Sequence, residues 1–141
     1  MKKARVLLAD DNDVLVGMLA DLLQDEYELV GISRDGRALL QAATELRPDV
    51  IVTDISMPIL SGLDVIRELK QAGTTIKIIV LTGYQEPQLA ASALRDGASG
   101  YVLKHCAGDE LLAALHEVVR GRPYVTPLIA KDAILFMQGG S

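Results

Sequence analysis

Three aspartates stand directly behind short apolar runs. Asp10 and Asp11 follow Arg5-Val-Leu-Leu-Ala9, and Asp54 follows Asp49-Val-Ile-Val-Thr53. Carboxylates gathered at the ends of buried strands repel one another, and burying one unpaired is costly or forces its protonation. A positive partner removes that cost. Two acids with a third nearby make an oxygen-only donor set that suits Mg²⁺, which takes one or two carboxylates and keeps several waters. Thr82 and Lys104 each follow a later apolar run. With a metal on one side and an ammonium and a hydroxyl on the other, such a group can hold a transferable phosphoryl while a carboxylate attacks in line.

The elements that must position these residues are legible as alternating periodicities. Apolar runs at 5–9, 27–32, 49–53, 76–81 and 99–103 are rich in Val and Ile. The first, third and fourth lack polar alternation, as strands buried on both faces do. Between them lie amphipathic stretches. Their apolar faces are Val14, Leu15, Met18, Leu19, Leu22 and Leu23; then Leu39, Leu40, Ala43 and Leu46; then Val65, Ile66 and Leu69. Leu89, Ala90, Ala93 and Leu94 form a fourth face, and Leu111, Leu112, Leu115, Val118 and Val119 a fifth. Asn12 or Asp13 suits the cap of the first helix, and Asp35-Gly36 opens the second. Pro48, Gly73, Gly97 and Gly121 fall where helices should stop. The pattern is (βα)5, an α/β chain whose right-handed crossovers give an open, doubly wound, five-stranded parallel sheet. Ligands of such sheets sit beyond the C-terminal strand ends, which is where all five chemical residues fall.

Bulk composition narrows the function. The 141 residues suffice for one domain with a proper core, half of them are hydrophobic, and one Phe with no Trp makes that core aliphatic. A net charge of -5 without a clustered Lys/Arg stripe argues against direct nucleic-acid binding by this chain. Cys106 is the single cysteine, which excludes an internal disulfide and leaves no metal spacing around it. The apolar run Val6–Ala9 is too short for a signal peptide or membrane span, so the expectation is a cytoplasmic chain.

Taken together, Asp10-Asp11, the stretch from Thr53 to Gly62, Leu81-Thr82-Gly83 and Gly100-Tyr101-Val102-Leu103-Lys104 resemble the receiver (CheY-like) domain of two-component response regulators over residues 4–121. Receivers are a standing example of the strand order 2-1-3-4-5, which the resemblance therefore implies. That order makes the first and third strands neighbours and brings the three carboxylates into one cleft. The resemblance also implies the roles. Asp54 is the phosphoacceptor. Asp11 binds Mg²⁺ (or Mn²⁺) directly, Asp10 assists through water, Asp54 is itself a ligand, and the Ser56 backbone carbonyl completes the set. Lys104 pairs with the phosphoryl group, Thr82 turns its hydroxyl toward it, and Tyr101 rotates inward in response. Pro58 and Gly62 shape the loop beside the acceptor. The implied partner is a sensor histidine kinase or phosphotransfer protein, with a homodimer as a further expectation. The chain is then no enzyme toward outside substrates, though it catalyses its own phosphorylation and slow dephosphorylation. Receivers often carry Pro after the lysine, with a cis peptide, but here the residue is His105. A cis bond there would cost about 2.5–4 kcal/mol and is not expected.

The stretch from Glu110 to Pro127 resembles the NarL/FixJ class, whose linker leads to a LuxR-type DNA-binding domain and so to control of transcription. No such domain fits in residues 128–141, leaving a receiver parted from its output or a standalone receiver acting on protein partners. Residues 122–127 read as an extended link, 128–138 as a further short helix and 139–141 as a flexible end. Each residue also has a plainer reading. The acids at 10–13 suit a helix N-terminus, Thr82 a strand end, Lys104 a solvated surface and Tyr101 a core position; His105 and His116 read as structural or exposed. Two other functions compete. A haloacid-dehalogenase-type phosphohydrolase needs a second acid two residues after its nucleophile, where this chain has Ser56. A flavodoxin-like nucleotide binder needs a Ser/Thr/Gly-rich loop after the first strand, where this chain has four consecutive Asp or Asn residues.

Overall fold

The computed structural model describes residues 2–138. Its order is β1 (Ala4–Ala9), α1 (Asp13–Leu23), β2 (Tyr27–Ser33), α2 (Gly36–Leu46), β3 (Val50–Thr53), α3 (Gly62–Gln71), β4 (Lys77–Thr82), α4 (Pro87–Asp96), β5 (Gly100–Leu103), α5 (Ala107–Val119), β6 (Tyr124–Val125) and α6 (Pro127–Gln138). All strand pairs are parallel, and the sheet runs β2-β1-β3-β4-β5-β6. Five strands in the expected order are present. A sixth joins where the sequence suggested an extended link, because Tyr124–Val125 lies flush against β5 with Gly100 opposite Tyr124 and Tyr101 opposite Val125. Two residues between turn signals carry too little periodicity to announce a strand. Residues 139–141, read above as a flexible end, lie outside the described residues.

Alternation along the strands sorts the core into two layers. Leu7, Ala9, Ile51, Ile78, Val80, Tyr101 and Leu103 face α2, α3, α4 and α6. Val6, Leu8, Val50, Val52, Ile79, Leu81 and Val102 face α1 and α5. Both faces are covered, so the central strands had to be apolar at consecutive positions.

Local signals set the helix ends. Asn12 caps α1 by accepting from the Leu15 N–H, and Asp35 caps α2 by accepting from Ala38. Ser61 caps α3 through the Asp64 N–H and also donates to the Asp64 carboxylate. Gly73, Gly97 and Gly121 take positive φ directly after α3, α4 and α5.

One helix face differs from expectation. In α1 the buried side is Val16, Leu19 and Leu23, while Val14 and Met18 are exposed. The stripe at i, i+3, i+7 faces the sheet, and residues 14 and 18 lie about 100° or more away from its centre. Val119, at the end of α5, is likewise exposed. The expected sixth helix forms as α6 and buries Ile129 and Ala133 in the same layer as Ala90 and Ala93 of α4.

Candidate functional site

Strand register brings the chemistry together. Ala9 pairs with Thr53 across β1 and β3, so Asp10 and Asp54 emerge side by side, tied by the Asp54 N–H donating to the Ala9 carbonyl at 3.0 Å. Thr82 pairs with Leu103 across β4 and β5, which sends Lys104 out beside Thr82. One oxygen each of Asp10, Asp11 and Asp54 lie within 4.8 Å of one another. Asp10 and Asp54 are buried and Asp11 is exposed.

Lys104 holds this cluster in balance. Its ammonium donates to Asp54 Oδ2 at 2.8 Å and stands 2.9 Å from Asp10 Oδ2. The second contact is an ion pair off the line that a hydrogen bond needs, since Asp10 Oδ2 is buried with no hydrogen-bond donor. Burial pulls the lysine downward, but the hydrogen bond to Asp54 and the close negative charges of Asp54 and Asp10 outweigh it and raise Lys104 above the usual lysine range. The other oxygens of Asp54 and Asp10 are occupied by backbone. Asp54 Oδ1 accepts from the Ile55 N–H at 2.7 Å, and Asp10 Oδ1 accepts from Asn12 at 2.9 Å. Among the described residues every peptide bond is trans, the one between Lys104 and His105 included, and Lys104 opens a short 3₁₀ turn.

The residues around the cluster divide into a loop and a hydroxyl network. Gly62 sends its N–H to the Ile55 carbonyl at 2.8 Å, and a Cβ on it would sit 2.1 Å from the Asp54 carbonyl oxygen. Only glycine lets α3 begin that close behind the acceptor. Pro58 is exposed, and its carbonyl accepts from Leu60 at 2.8 Å and from Gly36 at 3.3 Å, docking the loop on α2. Ile59, between them, takes a φ of 74°. Thr82 is buried, and its hydroxyl accepts from the Tyr84 N–H at 3.2 Å. Tyr101 is fully buried and donates its hydroxyl to the Tyr84 carbonyl at 2.8 Å, so its ring already points inward in this structure. Burial pushes its phenol far above the ordinary range.

Two residues escaped the sequence reading. Tyr84 joins Thr82 and Tyr101 through its backbone and reaches Ser56 through its own hydroxyl, Oη to Oγ 3.0 Å. An aromatic two residues past Thr82 was its only signal. Thr126 accepts from the Leu103 N–H at 3.0 Å, next to Lys104, and had no signal in sequence at all. His105 and His116 are exposed, His116 pairing with Glu26, and Cys106 is partly buried. The larger surface clefts open at the opposite ends of the strands and include none of the three carboxylates.

The donor set fits a hard divalent cation. It offers oxygens alone, three of them close together, and Asp10 also carries a buried oxygen left without a hydrogen-bond donor. A doubly wound sheet carrying an acid cluster, a lysine and a threonine at its C-terminal strand ends defines a receiver-type domain.

Comparison with known proteins agrees. Residues 6–116 match the response regulator receiver domain. A transcriptional regulatory protein of Bacillus subtilis, YvfU, is 36% identical over 125 residues, spanning 87% of this chain and 62% of YvfU. A LuxR-family response regulator from Aurantimonas superposes with a TM-score of 0.89 at 28% identity, over 94% of this chain and 96% of that one. The isolated receiver domain of RcsB from Salmonella enterica, solved with the phosphomimetic BeF3⁻, gives a TM-score of 0.84 at 27% identity over 92% and 98% of the two chains. The chain belongs to the response regulator receiver family, and the solved structures it resembles include members of the NarL/LuxR kind. It spans about 62% of the length of the curated relatives it matches. Among the described residues no helix is long and apolar enough to cross a membrane.

Proposed function

We propose that Asp54 accepts a phosphoryl group from the phosphohistidine of a sensor kinase or phosphotransfer protein. Asp10, Asp11, Asp54 and the Ser56 carbonyl would hold Mg²⁺, whose charge would offset that on the phosphoryl oxygens. A carboxylate oxygen of Asp54 attacks phosphorus, the bond to the donor's imidazole nitrogen breaks, and that nitrogen leaves with the electron pair. Lys104 already holds Asp54 Oδ2 at 2.8 Å, so its ammonium meets the phosphoryl oxygens as negative charge arrives there. Thr82 gives up its bond from Tyr84 and donates its hydroxyl to the phosphoryl group, drawing the loop after β4 inward. The output surface would be α4, β5 and α5, or α1 with α5 in a homodimer. In a longer protein of the NarL/LuxR kind this would govern a DNA-binding domain and transcription, on the cytoplasmic side.

The observation that carries the proposal is the contact of one lysine with two buried carboxylates beside a third. The test is labelling by acetyl phosphate with Mg²⁺. Wild type should gain one phosphoryl group per chain, and Asp54→Asn should gain none; equal labelling of the variant sinks the assignment. Self-catalysed acceptance and slow hydrolysis are the only turnover expected. Ser56, hydrogen-bonded to Tyr84, stands where a phosphohydrolase would need its proton donor.

A further inference from the structure

We propose that Thr126 is a positioning residue for Lys104, which makes the segment behind α5 part of the acceptor site. The inference rests on reading Asp54 as the acceptor. The ladder between β4 and β5 ends at the pair Thr82 and Leu103, and Lys104 leaves directly into its turn. On the other flank the pairing of β5 with β6 ends at Tyr101 and Val125. Thr126 carries the hold one step further with two bonds. Its own N–H donates to the Tyr101 carbonyl at 2.9 Å, and its hydroxyl accepts from the Leu103 N–H at 3.0 Å.

Both Thr126 and Leu103 are fully buried, so water cannot replace the hydroxyl if it is lost. Thr126 is itself fixed. Its carbonyl accepts from Ile129 at 3.1 Å, Pro127 opens α6 immediately after it, and Ile129 and Ala133 anchor that helix in the layer of Ala90 and Ala93. A long lysine side chain reaches two carboxylates on other strands only if the backbone leading to it is held. The bond from the Leu103 N–H fixes the peptide between Val102 and Leu103, one residue before Lys104. Because coupling is reciprocal, charge added at Asp54 that draws Lys104 must also be felt at Thr126.

Thr126→Val keeps the shape and removes the acceptor. Labelling by acetyl phosphate at saturating Mg²⁺ should slow roughly tenfold, since small misplacements of a catalytic group cost that much or more. Mg²⁺ affinity, set by the carboxylates, should stay within about twofold of wild type by the same reasoning, and the Leu103 and Lys104 amides should exchange faster together. Thr126→Ser should restore both the labelling rate and the slow amide exchange. If valine prevents folding, Thr126→Cys, with its weakly accepting sulfur, carries the same test in smaller measure.

Wild-type labelling by a variant whose Leu103 amide has loosened overturns the proposal, as does a loss of Mg²⁺ affinity in step with the rate. Amide exchange needs no phosphoryl group. If wild type itself goes unlabelled, the acceptor reading falls, and loosening at Leu103 without Lys104 overturns the positioning role separately.

Discussion

Lys104→Met removes the one ammonium that stands between Asp10 and Asp54 while leaving a side chain of similar length. Oxygens of the acid cluster lie within 4.8 Å of one another, a separation at which two charges repel by about 0.9 kcal/mol at water's dielectric and about 3.5 at an effective value near 20. Asp10 Oδ2 already lacks a hydrogen-bond donor and would lose its compensating charge as well. Deleting one partner of a buried pair typically costs about 3–5 kcal/mol. The lysine side chain is 27% exposed, and solvent screening lowers the expectation to about 2–3 kcal/mol. The assay is urea unfolding at pH 7 in the presence of a chelator. Two controls identify the cause. Adding Asp10→Asn to the variant should return at least half of the loss, and adding Asp54→Asn instead should do the same, because neutralising either acid removes the repulsion. A variant within about 0.5 kcal/mol of wild type would refute the account of the cleft as a set of charges held apart by one lysine.

Three further outcomes follow from the same geometry. Gly62→Ala should destabilise by about 2 kcal/mol or more and impair labelling, because its Cβ meets the Asp54 carbonyl at 2.1 Å, whereas Gly17→Ala, in open space in α1, should stabilise by about 0.5–1 kcal/mol in the same unfolding assay. Mg²⁺ at a hundred times its dissociation constant should raise unfolding free energy by about 2.7 kcal/mol, and Asp11→Asn should lose most of that gain. In alkali the thermal midpoint should fall. Lys104 is raised above its ordinary range, and Tyr124 is pushed up to about 12 by burial and by its hydrogen bond to Glu110, so the folded chain keeps protons that the unfolded chain releases. Their contribution is complete at neutral pH and is lost as pH rises through about 10 to 12. Tyr124→Phe should flatten that fall, and an unchanged profile would contradict the linkage.

Most of the layout could be read from residue types because burial on both faces of a parallel sheet writes itself as unbroken runs such as Val50–Val52. The site was legible for a related reason. Charged residues have no cause to stand at the ends of such runs unless the ends converge, so Asp10, Asp54 and Lys104 declared themselves by being costly. Contacts made through backbone or through small polar groups did not. Thr126 meets Leu103 across 23 positions with nothing in its own neighbourhood to mark it, and Tyr84 works through a carbonyl and an amide that every residue possesses. Helix orientation was the intermediate case. The first helix offers more apolar positions than one stripe can hold, and only packing in the folded chain decides that Val16 turns inward and Met18 outward.

β6 has a consequence for how chains behave toward one another. Without it β5 would end the sheet, and the outward amides and carbonyls of residues 99–103 would form a template for a strand from another molecule. Tyr124–Val125 covers that row with two residues bracketed by Pro123 and Pro127. Neither proline can donate to a ladder, and two residues are too few to seed one. The sheet thus ends, on the side away from β2, in an edge that refuses recruits.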